Sequence, residues 1–352
     1  MMPPYRIAIL IIAMLLACGC RKASSSKLEA YHLSSLIGAA SKSVVDMESV
    51  RIEPCSVKVM AGGDSLSPTK SKTEMFLASA SSSCVRGTQL LICDRLNDCI
   101  FVADSEGTIL RKIGRHGKGP GEFIGPVHIA CNTNFCFVYD LGNGRIQILD
   151  REFDYVSSIP AVYNFLSGCL AASRDQVYIH GSYADTLLLK RYSSISPFDL
   201  VSVSIPLLVP RTERSQAYNS VKFSANEDGW LCIGYTGLPY LFVFDPQGIQ
   251  RSTIELQGKG VEQLKEHPNG LKASGAMMKI FIAGISVFQD GSVVFSDGHR
   301  IFVLENSNGT YRLKRVLRPG IGENVIRHIC LDERRGRVFL TTDVSVSELD
   351  LK

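Results

Sequence analysis

The chain has 352 residues, of which 45% are hydrophobic and 20% charged, which fits a globular protein with a sizeable core and excludes a disordered chain. Thirty-eight Lys and Arg against 34 Asp and Glu leave a net charge of only +4, and no basic run of five or more occurs, so nucleic acid is not an expected partner. Thirty Gly, 14 Pro and many short apolar runs favour β structure with frequent turns.

Residues 1–17 read as a targeting signal. Arg6 supplies a positive start, and Ile7 to Ala17 is an uninterrupted apolar run. Such a run is too short to span a bilayer, which takes roughly 20 residues, and suits a signal peptide. It ends in Leu15-Leu16-Ala17-Cys18, which resembles the lipobox of bacterial lipoproteins. The resemblance implies cleavage before Cys18, lipidation of its thiol and a membrane anchor of several acyl chains. Cys20 suits the pattern less well, with Ala17 at its −3 position. Residues 18–43 form the expected lipidated tether, flexible at Ser24-Ser25-Ser26, with Leu28 to Ala40 either a short helix or more tether. Gly19 follows the cysteine, so the Asp linked to inner-membrane retention is absent. The expected address is the cell envelope, as an outer-membrane lipoprotein facing the periplasm or the surface.

Residues 44–352 carry a repeat. Alternating apolar strands recur at Thr108–Arg111, Arg145–Asp150, Thr186–Leu189, Tyr240–Asp245, Arg300–Glu305 and Ser345–Asp350. Their mean spacing of about 47 residues matches the period of propeller blades and exceeds that of leucine-rich or ankyrin repeats. Helical periodicity is nearly absent. The expected fold is all-β: a six-bladed β-propeller with four-stranded blades, counted from about Thr88. The step from Tyr240 to Arg300 is long, so an insertion is expected at Val261–Lys279. The last copy ends where a third strand would end. The strand-like segment Ser49–Met60 is therefore expected to supply the missing outer strand and close the ring, since open sheet edges are a liability.

Gly114 to Phe123, GRHGKGPGEF, leads into Pro126-Val127-His128-Ile129-Ala130, then Phe137-Val138-Tyr139-Asp140 and Asn143-Gly144-Arg145-Ile146-Gln147. This block resembles an NHL repeat, and the whole chain resembles NHL-like six-bladed propeller lipoproteins of gut bacteria. His128 departs from the pattern, which prefers Gly there. The glycine-rich turn lacks the Gly-Lys-Ser/Thr of a phosphate loop and precedes a strand, so it reads as a blade connector with Phe123 packed beneath.

Eleven cysteines minus Cys18 and Cys20 leave nine, an odd number, so at least one thiol is expected to be free. Most sit in apolar runs as buried small hydrophobes. Cys131 with Cys136, and Cys93 with Cys99, flank tight turns and are each a candidate bridge. No CxxC pair supports a structural zinc site. Asp140, Asp150, Asp245 and Asp297 follow strands and are expected to cap their own turns. His180 and His299 are expected on loops. Asn308-Gly309-Thr310 reads as a turn, and Asp64-Ser65-Leu66 and Asp185-Thr186-Leu187 resemble a short O-glycosylation motif.

His128 and His328 each open an inner strand, and inner strands line one central channel. They are the candidate channel ligands, with Gly168 and Gly284 leaving room beside them and an imidazole pair expected to titrate near neutral pH. No nucleophile, base and orienter set is recognisable, so no catalytic residue and no resident metal or cofactor is assigned. The expected function is a membrane-anchored, extracytoplasmic module that binds a peptide, a glycan or a protein. The alternative is a metal-dependent lyase or hydrolase that uses the channel with calcium or zinc, as the resemblance allows.

Overall fold

In the computed structural model, the described residues are Gly38 and residues 40–62, 77–161, 170–180, 187–195, 198–206, 220–236, 238–258, 261 and 282–351. The expected signal, Cys18, Cys20, Gly168, Cys169, nearly all of the Val261–Lys279 insertion and the two O-glycosylation motifs, apart from Leu187, lie outside them.

Six antiparallel sheets of four consecutive or ring-closing strands form the blades: residues 80–113, 126–160, 170–206, 221–257, 284–319 and 328–350. Six apolar clusters hold them, one at each blade-to-blade interface. Between blades one and two, for example, Leu91, Cys93, Ile100 and Val102 meet Ile129, Val138 and Leu149. Each sheet is therefore covered on both faces. That is why the middle strands Gln89–Asp94 and Cys99–Ala103 are continuously buried rather than alternating.

Three N-terminal strands precede the blades: β1 (Ser41–Asp46), β2 (Ile52–Cys55) and β3 (Lys58–Gly62). β3 pairs antiparallel with Ser345–Asp350 as the outer strand of blade six, Ser345 facing Gly62 and Glu348 facing Lys58. The ring is thus closed by an N-terminal strand. The closing strand is narrower than the expected Ser49–Met60. Its first part, β2, instead runs parallel to Thr310–Pro319 as a fifth strand on blade five, anchored by Arg315 Nη2 to Glu53 at 2.7 Å. β1 runs parallel to Gln250–Gln257 on blade four. It starts at Ser41, ahead of the expected boundary at Val44.

Blade one also starts earlier than expected, at Ala80 rather than near Thr88. Its inner strand, ASSSCVR, has too few apolar residues to read as a strand, because Ser82 and Ser83 sit against neighbouring strands and form hydrogen bonds there. Ser83 meets the Thr341 hydroxyl at 2.9 Å, and Ser82 Oγ accepts from Ile129 N at 3.4 Å. The first anchor, Thr108–Arg111, consequently belongs to the fourth strand, Ile109–Ile113, and not to a third. The other five anchors fall on third strands.

The glycine-rich segment is a connector between blades one and two. Phe123 is fully buried in their shared cluster. Gly114 has φ +78, and a Cβ there would lie 2.4 Å from the Phe123 ring, so only glycine fits. The loop is clamped by residues of the following strand. Arg145 Nη2 donates to the carbonyls of Gly119 and Glu122, and Gln147 Nε2 to that of Glu122 at 2.6 Å. Asn143 Nδ2 donates to Gly117 O at 2.9 Å. Asp140 organises these donors. It is fully buried, takes Ile124 N on one oxygen, and takes Asn143, Arg145 and Gln147 on the other. It therefore holds a neighbouring connector instead of capping its own turn. Asp150, Asp245 and Asp297 do cap their own turns, each accepting two backbone N–H groups within four residues. His180 departs from its expected loop position, ending a strand with 6% exposure, while His299 lies in a turn as expected. Cys131 and Cys136 form a disulfide, and Cys93 and Cys99 are separate buried thiols.

Candidate functional site in the central channel

The inner strands of all six blades surround one cavity of about 750 Å3. It lies at the channel end where inner strands turn back into middle strands, so its rim is made of Arg86 at a strand end and the turn residues Asn132, Glu227, Gln289 and Glu333. Deeper in, Cys84, Cys330 and His328 line its wall.

His128 of blade two and His328 of blade six come together across the channel. Their ring centroids are 6.0 Å apart with an interplanar angle of 69°, an edge-to-face arrangement. Only His328 lines the cavity; His128 is 8% exposed. Neither titrates near neutral pH, contrary to the expectation from sequence. Burial strips the charged form of its water, and the Lys222 ammonium opposes a second positive charge. His328 is pushed down to about 3, and His128 falls well below its usual value for the same reasons, with His328 as an added repulsion. Both imidazoles are neutral under physiological conditions. Gly284 does not make room for them. A Cβ on Gly284 would come within 3.2 Å of the Ile329 backbone nitrogen, so glycine there serves the contact between blades five and six.

Two buried polar atoms of the cavity lining have no hydrogen-bond partner: His328 Nδ1 and Glu227 Oε2. Burial raises the Glu227 carboxyl above its usual range, partly offset by Arg174. Several other polar rim groups are occupied. Glu333 accepts Gln289 N on both oxygens, at 3.1 and 3.0 Å. Arg86 donates to the Asp150 and Arg151 carbonyls and lies 5.1 Å over the Phe153 ring. Asn132 and Asn226 tie their turns to the next blade through Ser173 O and Phe288 O. Glu227 was not legible as a site residue. It lies in the Asn226–Gly229 turn, and its sequence context is that of any solvent-facing turn. Among the described residues no group of three or more His, Cys, Asp or Glu is placed to hold a metal ion.

A family described as a six-bladed beta-propeller matches residues 70–186 of this chain. Among curated proteins, none matches the sequence. Several solved structures share the fold at low identity. The WD40 repeats of RRP9 align at 10% identity and a TM-score of 0.55, covering 86% of this chain and 100% of that one. U3-55K aligns at 13% identity and 0.54, covering 84% and 98%. A putative exported protein of Bacteroides fragilis NCTC 9343 aligns at 11% identity and 0.51, covering 87% and 98%. At such identities the likeness concerns fold alone.

Proposed function

We propose that this chain is a membrane-anchored, extracytoplasmic binding module whose channel mouth takes a polar ligand, a glycan or a peptide. The observation that carries the reading is the pair of unpartnered buried atoms, Glu227 Oε2 and His328 Nδ1, in one cavity bounded by all six blades. A buried polar atom without a partner costs free energy that a ligand group would recover. Glu227 accepts a hydroxyl or ammonium donor, and neutral His328 accepts or donates according to its tautomer. A metal-dependent lyase or hydrolase has less support. Lys222 repels a cation beside the histidine pair, and no third ligand stands there among the described residues. Support for the anchor comes from Ile7–Ala17 and the Leu15-Leu16-Ala17-Cys18 box alone. Among the described residues no helix is long and apolar enough to cross a membrane.

Two measurements test this. Cys18→Ser is expected to block lipidation and move the body from the membrane to the soluble fraction; unchanged acylation would remove the anchor from the proposal. The soluble body screened against oligosaccharide and peptide arrays is expected to bind a member of one class, with affinity falling at least tenfold in Glu227→Ala and His328→Ala, about the effect of one lost hydrogen bond. Binding that both variants leave intact would move the site to the blade loops.

A further inference from the structure

The ring seam between blades six and one carries two thiols on adjacent inner strands. Cys84 lies on Ala80–Arg86 and Cys330 on His328–Asp332, and both line the channel cavity. Cys330 Sγ accepts the backbone N–H of Val85 at 3.2 Å, which sets this sulfur against the peptide that follows Cys84. The Cys84 thiol in turn donates to the Val85 carbonyl at 3.6 Å, so both sulfurs hold the same peptide residue. The remaining described free cysteines differ. Cys93, Cys99 and Cys232 are fully buried in blade interfaces, and Cys55 sits on the outer edge of blade five. Cys131, on the inner strand of blade two, is already oxidised in its disulfide with Cys136 and lines the same cavity.

We propose that Cys84 and Cys330 are a redox-active pair that closes to a second disulfide, joining the first blade to the last across the channel wall. The oxidant is a low-molecular-weight disulfide, such as oxidised glutathione, or a protein disulfide of an exported oxidoreductase. Cys84 is the attacking sulfur. The neighbouring Cys330 favours its thiolate and holds its proton affinity down, while Cys330 itself is pushed up by Cys84 and by burial. The Cys84 thiolate attacks one sulfur of oxidised glutathione, and the S–S bond breaks. The first glutathione leaves as thiolate and takes up a proton. Cys330 then loses its proton, attacks the Cys84 sulfur of the mixed disulfide and expels the second glutathione thiolate, which takes up that proton. Two protein thiols and one glutathione disulfide become one protein disulfide and two glutathione thiols. The bridge would staple, at the channel wall, the seam that β3 closes without a covalent link at the outer edge.

The test uses the full chain, equilibrated with glutathione at graded ratios of oxidised to reduced form, quenched by alkylation and peptide-mapped. The Cys84 and Cys330 peptides are expected to lose alkylation together and to appear as one disulfide-linked species, while Cys93, Cys99 and Cys232 stay unmodified. In Cys330→Ser the exchange is expected to stop at a glutathione adduct on Cys84, and in Cys84→Ser the adduct on Cys330 forms at least tenfold more slowly. Alkylation of Cys84 and Cys330 that falls independently, a linkage of either to another cysteine, or full retention of both thiols at the most oxidising ratio would each overturn the proposal. The wild-type map alone decides between these outcomes, so the test survives a variant that does not fold.

Discussion

His128 and His328 stand 200 positions apart in sequence and meet edge to face at 6.0 Å in the channel. Their neutrality has a consequence for acid stability. The unfolded chain protonates a histidine near pH 6.5, whereas folded His328 resists until about pH 3 and folded His128 also titrates well below its usual value. Between these limits the unfolded state binds more protons, so stability falls as pH drops and is level above the upper limit. Each histidine contributes a slope of up to about 1.4 kcal/mol per pH unit in that window. Urea unfolding from pH 7 to 4 is expected to show a shallower acid loss in a His128→Gln, His328→Gln double variant than in the wild type. Lys222→Met is expected to flatten the slope in the same direction, by removing the charge that both imidazoles feel. Parallel pH profiles for all three proteins would show that the pair is not held neutral.

Seam residues should matter more than their neighbours on the outer strands. Met60 in β3 is 2% exposed at the interface of blades six and one, while Ile52 in β2 is 39% exposed. Met60→Asp buries a carboxylate without a partner and is expected to cost several kcal/mol, whereas Ile52→Asp stays within about 0.5 kcal/mol. The chain has one tryptophan, Trp230, packed in the blade four–five interface. Its fluorescence is expected to report the Met60→Asp loss in a single transition, because an open ring exposes every blade. A wild-type midpoint at Trp230 would mean that the seam opens without the rest.

The connector supplies a third expectation. Phe123→Ala removes a fully buried ring from the blade one–two interface and is expected to cost about 3–5 kcal/mol. Asp140→Ala leaves Ile124 N and the Asn143 and Arg145 donors without their acceptor and is expected to cost about 1–3 kcal/mol or more, as for an orphaned buried group. Asp140→Asn keeps the shape and is expected to recover part of the loss. Equal costs for Ala and Asn in denaturant unfolding would assign Asp140 no role beyond filling space.

The legible parts of the molecule were those where burial imposes a pattern on consecutive residues. Strands such as Arg145–Leu149 and Tyr240–Phe244 are apolar because both faces of each sheet are covered, so period and blade number followed from them. The first inner strand is an exception. Ala80–Arg86 is serine-rich, and it stayed invisible for that reason. β1 and β2 have one exposed face and pair in parallel with strands some 200 residues or more away, and no local signal specifies such a partner. The histidine pair could be found because repetition converts sequence register into spatial proximity. Glu227 and the Cys84–Cys330 contact could not be found that way, since a missing partner or a side-chain contact across the seam depends on three-dimensional surroundings. Asp140 was misread because its ligands come from a connector 16 residues upstream and from its own hairpin at once.

The three N-terminal strands dock on blades four, five and six in chain order. A ribosome or an export channel delivers them before blades one to three, yet their partners arrive after those blades. Closing loops of this length is slow, because the entropy of the intervening chain is lost before the contact forms. Blades one to three can assemble while β1 to β3 still wait as unpaired strands. Completion of the ring therefore waits for Ser345–Asp350, and until it is delivered the nascent molecule presents a free strand edge at each end of an open arc.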